Sequence, residues 1–391
     1  MRILLIPPND LLRHPIPNRM YHIAKRLARK HDIYLLSYTK HPLADGVMRE
    51  LKAVEVPVGR AIAVKNLGLY YIVNALQIYS SIRRVIEREE VDVVVHANIL
   101  PSLIASRLAR RFRVPNIYEF LDYFPESASA YYTRGRSLVE LGVRLLTYQA
   151  LRDSDAVVTP SYGLKRVVES VIPGKPVYAI PNGVDAELFK PLDRASARRS
   201  VGLDTDCNLL LLQGSLDAWV NVEEVLRALS RLRRTLDVRL LVVGFSHAGY
   251  YHRLLLARAK RYEVERYIYT YPPQPYEKMP LFINSSDIVI APIKRMVKNL
   301  ATPLKIAEAL ACGVPVVTTD IAEFKIWYRQ GLYTYSTYEE LENVVKHLLS
   351  KLDEVRASLH EYSHSFRRTF SWDRLAEKYE SLLESVSSRY N

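Results

Sequence analysis

Residues 302–320 read TPLKIAEALACGVPVVTTD. The stretch is almost entirely apolar or small up to its closing Asp320, yet Lys305 and Glu308 sit inside it, one helical turn apart on one face. A Thr–Pro pair suits a helix start, with Thr302 as the cap and Pro303 at the first helical position, and Gly313 suits the end. A lysine in the first turn adds positive charge where the helix dipole is already positive. That is unfavourable unless an anion sits there. A carboxylate on the same side can accept hydrogen bonds from sugar hydroxyls. Lys294, Arg295 and Lys298 lie just before the helix. Together these residue types suit a phosphate-bearing sugar. The alternative is an internal Lys305–Glu308 pair, worth about 0.2–0.5 kcal/mol, beside a solvated basic loop.

The elements that must position these residues follow from hydrophobic patterning. RILLIP, DIYLLSY, VDVVVHA, PNIYEF and AVVTPS are apolar runs separated by helical patterns such as NRMYHIAKRLARK and a long helix over about 137–152. The second half repeats the theme with NLLLLQGS, VRLLVVG, RYIYTY, DIVIAPI and VPVVTTD. Strands apolar throughout and separated by helices imply parallel sheets covered on both faces. The chain thus reads as two doubly wound α/β domains. The first covers 1–180, the second 196–370, and 181–195 forms a hinge marked by Pro181, Asn182, Gly183 and Pro191. A closing helix over about 371–391 packs back toward the first domain. Such domains would face each other across a cleft, and ligands bind outside the carboxyl ends of the strands. His96, at the end of VDVVVH, then points to the cleft edge. Arg19, starting the first helix, could hold an anionic group there. Glu119 and Asp122 in EFLDYFPE are the acidic residues after the next strand. Each has a bland reading as well, a core histidine or an exposed helix arginine.

Composition narrows the partners. The chain has 391 residues, enough for two domains, and a net charge of +13. A phosphate-bearing substrate or an anionic membrane surface fits that charge. No arginine-rich arm or zinc-finger spacing appears, so nucleic acid is not expected. Cys207 and Cys312 make no metal or redox spacing and suggest a reducing, cytoplasmic setting. The apolar start ends at Pro7–Pro8, too short for a secretory leader. The stretch from Leu67 to Ile82, followed by Arg83 and Arg84, is too interrupted to span a bilayer but suits a membrane surface. Five glutamines against abundant Arg and Tyr point to a thermophilic source.

The segment TPLKIAEALACGVPVVTTD, with IPNGVDAELFKP, LLQGSLDAWVNVEEVLRAL, SSDIVIAP and FSWDRLAEKYESLL in order, resembles GT-B fold glycosyltransferases of family four, which are retaining and use nucleotide sugars. The resemblance covers nearly the whole chain and is strong from 178 to 391. It implies two Rossmann-like domains, the first binding the acceptor and the second the donor. It implies that Glu308 holds the donor ribose, that Gly214 and Ser215 approach the diphosphate, and that Lys305, Thr302, Lys294 and Arg295 line the donor site. Gly244 lies where base selection relies on backbone groups. On the acceptor side the family's usual histidine is replaced by Leu121, which leaves Asp122 or Glu119 as polar candidates, with Asp122 the catalytic one; His96, as a second catalytic candidate, and Arg19, for an anionic group, are picked out by position alone. No metal or cofactor is implied; the donor is a substrate. The acceptor is a glycan or lipid-linked, and the location cytoplasmic, peripheral at the inner face of a membrane. The pattern departs from the family at Leu300, where the first of two paired glutamates usually stands, and at Ser215 and Asn221, where Arg and Lys usually follow the glycine turn. Two rivals remain: a GT-B sugar-nucleotide epimerase, which turns over its nucleotide sugar alone, and a non-catalytic binding protein, which binds without turnover.

Overall fold

A computed structural model describes residues 1–8, 17–38, 49–64, 66–129, 135–214, 216, 219–244, 249–294 and 302–390. The chain divides into two compact units, Met1–Pro181 with Trp372–Asn391, and Asn182–Ser371.

The first unit is built on a parallel sheet of β1 (Arg2–Ile6), β2 (Asp32–Ser37), β3 (Ala53–Pro57), β4 (Val93–His96), β5 (Asn116–Glu119), β6 (Ala156–Thr159) and β7 (Val177–Ala179). Their order is β3-β2-β1-β4-β5-β6-β7, all parallel. Leu5 of β1 lies opposite both Leu35 of β2 and Val95 of β4. The order reverses between β1 and β4, so the crevice of this unit opens at their carboxyl ends. Central strands are buried on both faces, which is why they read as unbroken apolar runs.

The helices cover the two faces. Leu67–Val73 and Ala75–Arg88 are separate helices, not the single one the apolar run suggests. Asn74 breaks them: its buried side chain accepts from Ile62 N–H (2.7 Å) and donates to the carbonyls of Ile62 (3.0 Å) and Tyr70 (2.9 Å). The side chain thus competes with the helical backbone for hydrogen bonds. The closing helix Trp372–Ser387 packs against the first helix, Arg19–Leu27, and Trp372 stacks on His22 at 4.9 Å between ring centroids.

The second unit carries β8 (Asn208–Gln213), β9 (Val238–Val243), β10 (Ile268–Tyr271), β11 (Ile288–Ala291), β12 (Val316–Thr319) and β13 (Leu332–Tyr335), ordered β10-β9-β8-β11-β12-β13 and parallel throughout. Here the order reverses between β8 and β11. Helix Val222–Leu232 shows how the sequence seats a helix on this sheet. It buries Val222, Val225, Leu226, Leu229 and Leu232 on one stripe, with Glu223 and Glu224 in its first turn and Arg231 in its last.

Asp287, the residue before β11, ties this unit together. It is buried, accepts from Leu209 N–H of β8 (2.7 Å) and from Arg198 Nη2 (2.9 Å), and pairs with Arg194. Asp287→Ala strands a buried guanidinium and a strand N–H, at a cost of about 3–5 kcal/mol. A drop in the denaturant midpoint of the full chain on that scale is the expected result; a change within about 0.5 kcal/mol, normal for a surface site, contradicts it.

Candidate functional site

The site in the second unit starts from glycines. Gly214 follows β8 and Gly244 follows β9, with φ of +92° and +86°, a backbone shape that favours glycine. Gly214 N–H donates to Val243 O (2.9 Å), and Gly244 N–H to Tyr271 O (3.0 Å). Two adjacent strands therefore end in tight turns at the switch-point edge. A Cβ on Gly244 would meet the backbone of Gly214 at 3.5 Å, and a Cβ on Gly214 would meet Lys305 Nζ at 3.3 Å. An antiparallel bridge from Val220 to Ile293, with Lys294 N–H donating to Trp219 O (2.7 Å), links the turn after β8 to the loop after β11.

Helix Leu304–Ala311 lies in the connection from β11 to β12 and supplies the charged groups. Lys305 Nζ donates to the carbonyl of Gln213, the last residue of β8, at 2.9 Å. Gln213 Nε2 in turn donates to Glu308 Oε2 at 3.4 Å. Glu308 is 8% exposed, among Ile306, Ala307, Ala309 and Leu310. Burial pushes its carboxyl up to about 7, against a hydrogen bond from Tyr276 and the charge of Lys305. A carboxyl held in such surroundings costs free energy in the ligand-free protein. The charge pair of the sequence thus reaches back to the glycine turn through Gln213. Gln213 and Tyr276 were not picked out from sequence; the only signal for Gln213 is a polar residue closing the apolar run NLLLL before a glycine.

Other donor-side expectations fare differently. Thr302 does not cap the helix: Pro303 occupies the cap position and Leu304 is the first helical residue. Thr302 is turned inward and buried. Its carbonyl accepts from Asn182, so it shapes the turn. The Lys294 side chain is exposed. Ser215 and Arg295, like Lys298 and Leu300, lie outside the described residues.

In the first unit, Asp122 follows β5 and is half-buried. Its Oδ1 accepts from Tyr123 N–H (2.8 Å), while burial raises its carboxyl pKa against hydrogen bonds from Ser127 and Tyr123. A carboxyl raised in this way suits proton transfer. His96 does not reach the edge. It is 0% exposed, its Nε2 lies 3.2 Å from Asn116 Oδ1 and 3.4 Å from Ser154 Oγ, and its ring packs on Tyr118. Those partners sit at the amino ends of β5 and β6, so the ring folds back along the sheet. Burial lowers its pKa to about 4, against the Asn116 bond, and it is a neutral core residue. Arg19 is also corrected. It is 4% exposed, with Nε at 2.5 Å from Glu119 Oε1 and Nη1 donating to Pro181 O at 2.6 Å. The anion it holds is the protein's own Glu119 carboxylate.

Gly214→Ala tests the turn. The substitution forces a side chain into a left-handed backbone, at about 1–2 kcal/mol, and crowds Lys305. The expected result is a lower melting temperature, whereas Gly59→Ala, with open space and no such φ, leaves it unchanged. Equal melting temperatures for the two variants would remove the close-approach reading.

Residues 16–188 match the family described as Glycosyltransferase Family 4, and residues 193–364 match Glycosyl transferases group 1. The chain thus carries glycosyltransferase family 4-type domains. Among curated relatives of this glycosyltransferase family, a D-inositol 3-phosphate glycosyltransferase of Segniliparus rotundus is 31% identical over 36% of this chain and 31% of its own length. A lipopolysaccharide 1,2-N-acetylglucosaminetransferase of Salmonella typhimurium is 25% identical over 60% of this chain and 64% of its own. The match thus spans less than two thirds of either relative. Among solved structures, a sucrose-phosphate synthase of Thermosynechococcus elongatus covers 99% of both chains, with a TM-score of 0.82 at 14% identity. The Anabaena protein HepE in complex with UDP-glucose covers 98% of this chain and all of its own, with a TM-score of 0.75 at 15% identity. These likenesses establish the fold, two parallel-sheet α/β domains as in GT-B glycosyltransferases.

Proposed function

We propose that this glycosyltransferase moves a sugar from a nucleoside diphosphate sugar to an acceptor hydroxyl. The observation that carries the reading is Glu308, a carboxylate kept buried at a switch-point edge beside Lys305 and the Gly214 turn. An ionised carboxylate there finds its partners in ribose hydroxyls, which donate hydrogen bonds to it. Gly214 puts no side chain between its backbone and Lys305 Nζ, so a diphosphate bound there would meet both the turn and the ammonium. UDP and UDP-glucose are the ligands named for the HepE complexes.

In the reaction the bond from the sugar's anomeric carbon to the phosphate oxygen breaks, and a bond to the acceptor oxygen forms. The acceptor proton passes to the leaving phosphate oxygen, with Asp122 as the alternative base. Charge developing on the diphosphate is met by Lys305, Lys294 and the amino end of helix Leu304–Ala311, without a metal. Transfer on the face from which the diphosphate leaves gives retention. The relatives' names point to a phosphorylated polyol or a lipid-linked glycan as the acceptor class. A peripheral position on the cytoplasmic face of a membrane accords with the +13 charge.

The test is a product assay with UDP-, GDP-, ADP- and TDP-sugars, with and without a membrane glycolipid extract. Release of the nucleoside diphosphate that needs the extract, with an anomeric proton of unchanged configuration in the product, is expected. Turnover of the nucleotide sugar alone would replace the transferase by the epimerase. Nucleotide binding without any turnover would leave a binding protein.

A further inference from the structure

The first unit displays an apolar surface that its own fold does not cover. Among the described residues fifteen large hydrophobic side chains are exposed, and nine of them fall in two stretches. Ile62, Leu67, Leu69, Ile72, Val73 and Leu76 form one; Leu138, Leu141 and Leu145 form the other. Leu76 is 79% exposed and Ile72 is 65%. Single exposed leucines are ordinary, but a cluster marks an interaction surface.

The two stretches lie at one end of one helical layer. Helix Leu100–Phe112 packs against both Ala75–Arg88 and Arg136–Asp153. Each of these helices leads into a strand of the parallel sheet and so begins at its carboxyl-end edge. Leu76 is in the first turn of its helix, and Leu138, Leu141 and Leu145 are spread over the first three turns of theirs. Leu67–Val73 precedes Ala75 directly.

Charge selects the occupant. Residues 60–86 contain Arg60, Lys65, Arg83 and Arg84 and no acidic residue, and the second stretch carries the exposed Arg136 and Arg144 with one acidic residue, Glu140. Arg60, Arg83 and Arg84 are exposed. Arg83 pairs with Glu87 at 2.9 Å on the polar side of the helix. Exposed aliphatic residues bordered by cations complement a surface whose interior is hydrocarbon and whose headgroups are anionic. Among the described residues no helix is long and apolar enough to cross a membrane, so the match is to a bilayer's surface.

We propose that the face formed by Leu67–Leu76 and Leu138–Leu145 docks on the surface of an anionic phospholipid bilayer. This deepens the peripheral location proposed for the transferase and rests on that part of the reading. The docking face is joined to the crevice of the same unit. Tyr71 Oη donates to Pro8 O at 3.2 Å, and Tyr70 Oη donates to the carbonyl of Tyr38, whose own hydroxyl reaches Pro7 O at 3.0 Å. Pro7 and Pro8 follow β1 at the switch point. A bilayer on this face therefore lies against the segment that leads into the acceptor side.

The experiment is flotation of the full chain with vesicles of phosphatidylcholine and phosphatidylglycerol, and with phosphatidylcholine alone, at low and high salt. The wild type should float with the anionic vesicles, and less at high salt. Ile72→Glu/Leu76→Glu, and separately Leu138→Glu/Leu145→Glu, should each weaken binding at least about tenfold, because apolar area no longer enters the bilayer. Leu256→Glu, at an exposed leucine of the second unit, should float like wild type. Circular dichroism and nucleotide calorimetry on the same variants report folding. No flotation of the wild type, or flotation indifferent to both double variants, overturns the proposal. So does a wild-type dimer in sedimentation that these variants dissociate without vesicle binding, since the face would then cover a second copy. If vesicles bind but no nucleoside diphosphate does, the docking face stands and the transferase reading falls.

Discussion

Glu308→Gln is expected to raise the melting temperature of the ligand-free protein at pH 8 and to weaken nucleotide binding in the same sample. Burial holds the folded-state pKa at about 7, against 4.5 for the ordinary glutamate. The folded state therefore binds this proton more tightly than the unfolded chain. Stability from the group is fully present below pH 4.5 and is lost as pH rises through 7. At pH 8 the charge costs up to about 3 kcal/mol, an upper bound given the relaxation available to a ligand site. Gln removes the charge and keeps an oxygen for Gln213 Nε2. The gain should be several degrees at pH 8 and fade toward pH 5. Binding moves the other way. Hydrogen bonds to a charged group contribute about 1.5–3 kcal/mol, so loss of the charge should cost about 10- to 100-fold in nucleotide affinity. Thermal unfolding from pH 5 to 8, with and without nucleotide, reads both. A variant less stable than wild type at pH 8, with unaltered affinity, would make Glu308 a structural residue.

Arg19→Ala is expected to cause the largest loss of stability in the first unit. It leaves Glu119, itself 0% exposed, as a buried charge without its guanidinium, and frees the Pro181 carbonyl. Breaking such a pair costs about 3–5 kcal/mol, on the order of 10 °C for a domain of this size. Tyr379 of the closing helix lies beside the same carboxylate, and burial with that carboxylate holds its hydroxyl in the neutral form. The damage should therefore extend to the Trp372–Ser387 helix. The double variant Arg19→Met/Glu119→Leu should recover most of the loss, because an apolar pair of similar volume avoids the desolvation cost. A double-mutant cycle in denaturant checks this. An Arg19→Ala protein of wild-type stability whose acceptor KM alone has risen would restore the anion-binding role expected from sequence.

The contrast between Arg19 and Glu308 shows where the sequence was legible. Both are charged residues near a helix start at a strand's carboxyl end. What separated them is their neighbours: Glu308 stands in an apolar helix with glycine turns nearby, whereas the partner of Arg19 lies one hundred residues away in EFLDYFPE. A long-range ion pair leaves no local pattern. His96 failed for a related reason, since strand position fixes which residue ends the strand but not where its ring folds. The buried strands were readable because both faces are covered. The strands not anticipated, AVEVP, VYA and LYTY, form β3, β7 and β13, all at sheet edges and only partly buried. An edge strand needs no continuous apolar run, so its signal is weak. The turn glycines Gly214 and Gly244 were legible because each closes an apolar run, and their backbone shape leaves little choice of residue.

The central claim is that a nucleoside diphosphate binds in the second unit against Glu308. Calorimetric titration of UDP, GDP, ADP and TDP into wild type and Glu308→Ala tests it most directly. One diphosphate should bind the wild type, and Glu308→Ala should lose about 100-fold or more of that affinity. Equal affinity in the two proteins, or no binding of any of the four to the wild type, would contradict it.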